Sequence, residues 1–62
     1  MNRLRLRRYL ARHNETQTDL ARQLNAWPST ISSWLSGRRR PSRDFAIALE
    51  KLTNGEVPAD GW

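Results

Sequence analysis

The dipeptide Trp27-Pro28 leaves this chain little choice about where one helix stops and the next begins. Proline lacks an amide hydrogen and has φ held near about −65°, so it fits the first turn of a helix but not its interior. The residue before it is pushed into extended backbone, which is the conformation of an N-cap. Trp27 and Pro28 therefore predict a helix start. Downstream, Ile31, Trp34 and Leu35 fall at i, i+3 and i+4 and share one face, while Ser29, Ser32, Ser33 and Ser36 share the other. Gly37 supplies the stop, and Arg38, Arg39, Arg40 and Pro41 form a stiff basic connector.

The same punctuation recurs on both sides. Thr16 is placed as an N-cap with Asp19 three residues on, an aspartate version of the capping box whose charge lies in the turn that the helix dipole favours. Leu20, Ala21 and Leu24 form the apolar stripe of that helix, and Asn25, which tolerates positive φ, closes it. Earlier, Leu6, Tyr9 and Leu10 mark a first helix with Asn2 as its N-cap and an end near His13 and Asn14. Ser42 caps a last helix whose Phe45, Ala48, Leu49 and Leu52 fall at i, i+3, i+4 and i+7, with Gly55 ending it. "EVPADGW" is too short to stand alone, so Val57 and Trp62 are expected to cover the open side of the cluster. A chain of 62 residues hides only about 60% of its unfolded surface, which favours helices with local contacts. The expectation is an all-α, compact four- to five-helix bundle, one domain over residues 1–62, with a helix-turn-helix at about 17–36.

Composition narrows the function. There is no cysteine and one histidine, so neither a disulfide framework nor a thiolate metal site can be assembled, and His13 cannot make a metal site alone. No Gly-rich phosphate loop is present, and the serines have as a base only His13, on another helix and without an orienting acid. Catalysis, a metal, a cofactor or a small-molecule ligand is therefore not expected. No apolar run approaches the ~20 residues a bilayer span requires. The acid-free, arginine-rich opening "MNRLRLRRYLARHN" could also be a transit peptide, but it lacks a small-residue cleavage site and supplies a helix the bundle needs. The net charge of +5 points to a polyanionic partner, and its distribution locates the surface. Through Arg43, ten arginines oppose Glu15 and Asp19, or +8; from Asp44 onward, Lys51 opposes Asp44, Glu50, Glu56 and Asp60, or −3.

The stretch "TQTDLARQLNAWPSTISSWLSGRRRPS", Thr16 to Ser42, resembles the lambda repressor and Cro class of helix-turn-helix domains. It carries a Thr-Gln opening the second helix, Ala21 at the helix crossing, Ile31 and the bulky Trp34 anchoring the recognition helix, and glycine, basic residues and proline after it. The tail "ALEKLTNGEVPADGW" is similar to those of small Cro-like regulators and Cro-related antitoxins. Asn25 stands where that class usually has glycine. Ala26 replaces a larger aliphatic residue, leaving space that Trp27 is expected to fill in part. Trp27 and Pro28 occupy positions where relatives commonly carry Ser, Thr or Gln.

The resemblance implies sequence-specific binding of double-stranded DNA by a transcriptional regulator, a Cro-like repressor acting as a homodimer on operator half-sites and monomeric when free. It would work in the cytoplasm of a bacterium, or of a phage-infected host. Thr16 and Gln17, at a helix N-terminus, would hold a phosphate. Arg38, Arg39, Arg40 and Arg43 would lie along a phosphate strand. Ser29, Ser32 and Ser33 present hydroxyls suited to base edges, and Trp27 and Pro28 present apolar surface suited to thymine methyls. Serine bonds to several bases, so no operator sequence follows, and DNA shape enters the choice. Three rival uses stay open: an antitoxin-type autoregulator gripping a toxin with its tail, a protein-interaction module placing the basic face on an acidic protein, and a basic amphipathic helix on an anionic membrane.

Overall fold

Helices as short as the two central ones here, eight and nine residues, barely form alone, because nucleation is costly and isolated helices need about 12–15 residues or more. What holds them is visible in the computed structural model, which describes residues 2–62. The chain forms α1 (Asn2–Arg12), α2 (Gln17–Leu24), α3 (Pro28–Ser36) and α4 (Arg43–Leu52), with no strand among the described residues. Each helix commits one side chain to the centre: Leu6, Leu20, Ile31 and Leu49 are fully buried, joined by Val57 from the tail. Tyr9, Leu10, Ala21, Trp34 and Leu35 complete this cluster, and Leu24, Phe45, Leu52 and Trp62 pack at its edge. Helix α3 packs on both α1 and α2, and α2 on α4. Ala21, 1% exposed, lies where the small side chain permits close approach.

All four helices close in the same way. The residue after the last turn is left-handed (Asn14, Asn25, Gly37 and Asn54), and the next amide reaches back five residues, as in Glu15 N to Leu10 O, Ala26 N to Ala21 O, Arg38 N to Ser33 O and Gly55 N to Glu50 O. This is the Schellman closure, which satisfies carbonyls that would otherwise lack a partner. The last case corrects the sequence-based expectation, because α4 ends at Leu52 and Asn54 is the closing residue, with Gly55 following it. Thr53 then turns the chain inward. Its Oγ1 donates to Leu49 O (2.7 Å) and accepts from Val57 N (3.0 Å), which places Val57 in the core.

Three further expectations need correction. Asn2 does not spend its side chain on capping α1; it is 3% exposed, and Nδ2 donates to Pro58 O (2.6 Å) and Asp60 O (2.8 Å), tying the tail to the first turn of the chain. Trp27 fills no space beside Ala26, since it is 77% exposed. Ala46, outside the anticipated stripe, is buried because the tail runs back along α4, with Ala59 N on Glu50 Oε1 (2.6 Å) and Asp60 beside Arg43.

Trp34, 2% exposed, packs its ring against Phe45 (centroids 5.4 Å apart) and Trp62 (6.4 Å). Trp34→Ala is expected to cost about 3–5 kcal/mol, most of the stability a small domain has. Urea denaturation followed by far-UV circular dichroism measures it; a folded variant losing under about 1 kcal/mol would contradict this packing.

Candidate nucleic-acid interface

The N-terminus of α2 is built by a reciprocal pair. Thr16 Oγ1 accepts from Asp19 N (3.1 Å), and Asp19 Oδ2 accepts from Thr16 N (3.0 Å). The Thr16 backbone N–H, and after it the Thr16 hydroxyl, hold the Asp19 carboxyl below its ordinary value. Thr16, Gln17 and Thr18 are exposed around this end.

Three residues, Asn25 to Trp27, separate α2 from α3. Asn25 sits at φ 59°, ψ 41°, and Trp27 is extended at φ −94°, ψ 145°, directly before Pro28. No side chain caps α3; instead the Trp27 carbonyl accepts from Thr30 N (2.9 Å) and Ile31 N (3.3 Å). With Ile31, Trp34 and Leu35 buried, Pro28, Ser29, Ser32 and Ser36 form the outward face, and Ser33 sits half-buried at its edge. The hydroxyls differ in what they retain. Ser33 Oγ donates to Ser29 O (3.0 Å) and Ser36 Oγ to Ser33 O (3.1 Å), so Ser33 offers only acceptor capacity, whereas Ser29 and Ser32 are exposed and make no such bond.

Beyond α3 the exposed Arg38, Arg39 and Arg40 join Ser29, Ser33 and Ser42 around an open groove of about 500 Å³ floored by Trp34 and Phe45. Arg43 is not part of it. It opens α4 and turns toward the tail, where Nη1 lies 3.2 Å from Asp60 Oδ1. Thr16, Gln17, Trp27, Pro28 and Ser32 are exposed outside the groove.

Residues 6–58 match the family model described as helix-turn-helix. The chain belongs to this family, in its lambda repressor and Cro class. A curated relative, an uncharacterized HTH-type transcriptional regulator of Archaeoglobus fulgidus, is 41% identical over 56 residues, which cover 90% of this chain and 23% of that protein. The chain thus spans about a quarter of that relative's length. No solved structure gives a significant match.

One pair in this helix-turn-helix protein escaped the sequence reading. Arg3 Nη1 donates to Ser36 O and Arg7 Nη2 to Leu35 O, both at 3.3 Å, so two arginines of α1 reach the C-terminal end of α3. Their i, i+4 spacing was visible, but the same spacing serves a solvated face equally well.

Two outcomes follow for the helix-turn-helix segment. Trp27, so exposed, should contribute little to folding, and Trp27→Ala, which like tryptophan offers no capping side chain, is expected to leave the unfolding free energy within about 0.5 kcal/mol of wild type in urea titration. Asp19 has a lowered native pKa, so its stabilisation is complete above the ordinary aspartate value near pH 4 and is lost as pH falls through the lower native value. The difference in Tm between wild type and Asp19→Asn should therefore shrink on acidification; a difference that stays constant from pH 7 to pH 2 would remove the capping charge from the account.

Proposed function

We propose that this protein binds double-stranded DNA sequence-specifically and regulates transcription, as a repressor that occupies two operator half-sites as a homodimer. The observation that carries the reading is the outward face of α3, where short hydroxyls and a proline, free of acidic groups, lie beside three exposed arginines. An α-helix of about 10–12 Å diameter fits a major groove about 12 Å wide. Hydroxyls there can meet base edges, and a flanking row of guanidiniums can meet phosphates. The Archaeoglobus fulgidus relative is itself an HTH-type transcriptional regulator by name.

In this reading the unit spans residues 1–62, with its helix-turn-helix from Gln17 to Ser36, and works in the cytoplasm, where the DNA is. Ser29 and Ser32 make the base contacts with donor hydrogens, Ser33 accepts only, and Trp27 and Pro28 offer apolar surface to thymine methyls. Thr16 and Gln17 bind phosphate through the N-terminus of α2. Arg38, Arg39 and Arg40 bind the strand beside the groove, and Arg43 joins them by leaving Asp60. One copy makes few base contacts, so two copies on half-sites about one helical turn apart supply the needed affinity.

Selection from random duplexes, followed by titration of the enriched sequence, tests the reading. With four to six phosphates neutralised, log affinity should fall against log salt with a slope of about −4 to −5. Ser29 stands at the second position of α3, where an acid favours the helix dipole. Ser29→Glu is therefore expected to stay folded and to lose specific binding by at least about 100-fold. If no sequence is enriched and affinity is flat with salt, the protein-interaction alternative replaces this one.

A further inference from the structure

We propose that Arg3 and Arg7 are positioning residues that fix the C-terminal end of α3 and thereby the way its outward face meets DNA; the second half of this statement rests on the DNA-binding reading above. The last four carbonyls of any α-helix lack intrahelical partners and must find others. For α3 the accounting closes completely. Ser33 O accepts from Arg38 N and Arg39 N, and Trp34 O from Gly37 N, all within the closing turn. The remaining two, Leu35 O and Ser36 O, are taken by Arg7 Nη2 and Arg3 Nη1.

The charge is as informative as the geometry. Helix α3 has no basic residue in its own last turn, where the dipole favours a cation, and α1 supplies two. The donors lie one turn apart on a single flank of α1, whereas Arg5, Arg8 and Arg12 gather around a different surface with Leu4 and Glu56. Helix α1 therefore divides its arginines between an internal task and an external one. Gly37 fits the same arrangement. It is at φ 79°, and a Cβ there would push the Arg3 guanidinium, the far end of a flexible side chain, away from Ser36 O, whereas the other three helices close on asparagine. The neighbouring Asn2 is in turn locked to the tail through Pro58 O and Asp60 O, so the turn of α1 that carries Arg3 has its own anchor.

The consequence reaches the basic connector directly, since Arg38 to Arg40 leave from the end of α3 that these side chains hold. The test compares wild type with an Arg3→Met/Arg7→Met double variant, which keeps the aliphatic stems but removes the donors, and with the Arg3→Lys/Arg7→Lys double variant. In the free protein, amide exchange at Gly37, Arg38 and Arg39 should accelerate at least about tenfold in the methionine variant, with Asn25 and Ala26 unchanged. On DNA, the ratio of affinities for the selected and random duplexes should fall about tenfold with the salt slope unchanged, and the lysine variant, which restores the charge on a shorter side chain whose ammonium ends short of the Nη positions, should remain impaired. Unchanged exchange at Gly37 to Arg39 would overturn the clamp. A salt slope lower by about 2, with equal losses on both duplexes, would instead make these arginines phosphate contacts. Should wild type select no sequence, the DNA reading falls while the exchange measurement still decides whether the clamp exists.

Discussion

Everything in this fold depends on holding nine residues, α3, in a helix that could not persist by itself. Its inner face is secured by ordinary burial, with Ile31, Trp34 and Leu35 committed to the core. Its ends are secured differently. At the start, Pro28 arrives with φ already set and the Trp27 carbonyl accepts two amides, so little conformational entropy is lost there. At the finish, Gly37 folds the chain back while α1 provides two guanidiniums to the carbonyls that remain. The outer face is thereby relieved of structural duty and can be composed of residues, four serines and a proline, that contribute little to the stability of a helix.

Charge is arranged to the same effect. The acidic residues concentrate in α4 and the tail, where Glu56 meets Arg12 at the end of α1 and Asp60 meets Arg43 at the start of α4. Exposed pairs of this kind contribute roughly 0–1 kcal/mol each, so their weight in stability is small. Their placement matters more: the acids engage arginines around the tail and leave Arg38, Arg39 and Arg40 with no acidic side chain on their groove. The tail thus completes the core through Val57 and Trp62, and its Asp60, beside Arg43, shares a neighbouring pocket with Arg40 and Pro41 rather than the groove along α3.

How much of this was legible in the sequence follows from how far apart the interacting residues lie. The capping box of Thr16 and Asp19, the left-handed Asn25, the proline start of α3 and the stop at Gly37 all depend on neighbours within a few positions, and each was readable. So were the apolar stripes of α1, α2 and α3, because helical periodicity is local; on α4 the expected Ala48 is only half-buried and the tail covers Ala46 instead. The bonds of Asn2 to Pro58 and Asp60, of Arg3 to Ser36 and of Arg7 to Leu35 link residues 28 to 58 positions apart, and no local pattern announces them. Asparagine at a chain start resembles a cap, and arginines on a helix flank resemble a solvated face, until the tertiary partner is in view. Trp27 failed for a related reason, since an aromatic side chain next to a small residue invites a packing explanation that its 77% exposure refutes. The individual site residues were legible only as exposed positions of suitable chemistry; what bond each hydroxyl retains, as between Ser29 and Ser33, needed the backbone around it.

The composition of the α3 face also decides where selectivity must arise if the protein reads DNA as proposed. A bidentate arginine or glutamine pair supplies about 1–3 kcal/mol of discrimination against a wrong base, and no side chain on this face can form one. Single serine bonds are weaker and accept several bases, and the apolar surfaces of Trp27 and Pro28 distinguish little beyond a thymine methyl. A reader with such undemanding side chains gains selectivity mainly from geometry: the angle at which α3 enters the groove, the path its phosphate contacts impose on the duplex, and the spacing of two copies. That transfers the burden from the residues that touch bases to those that hold the helix. Trp27-Pro28 sets one end of α3, and Gly37 with Arg3 and Arg7 sets the other. Between fixed ends, a plain serine face can be presented in one orientation, and orientation is what such a face has to discriminate with.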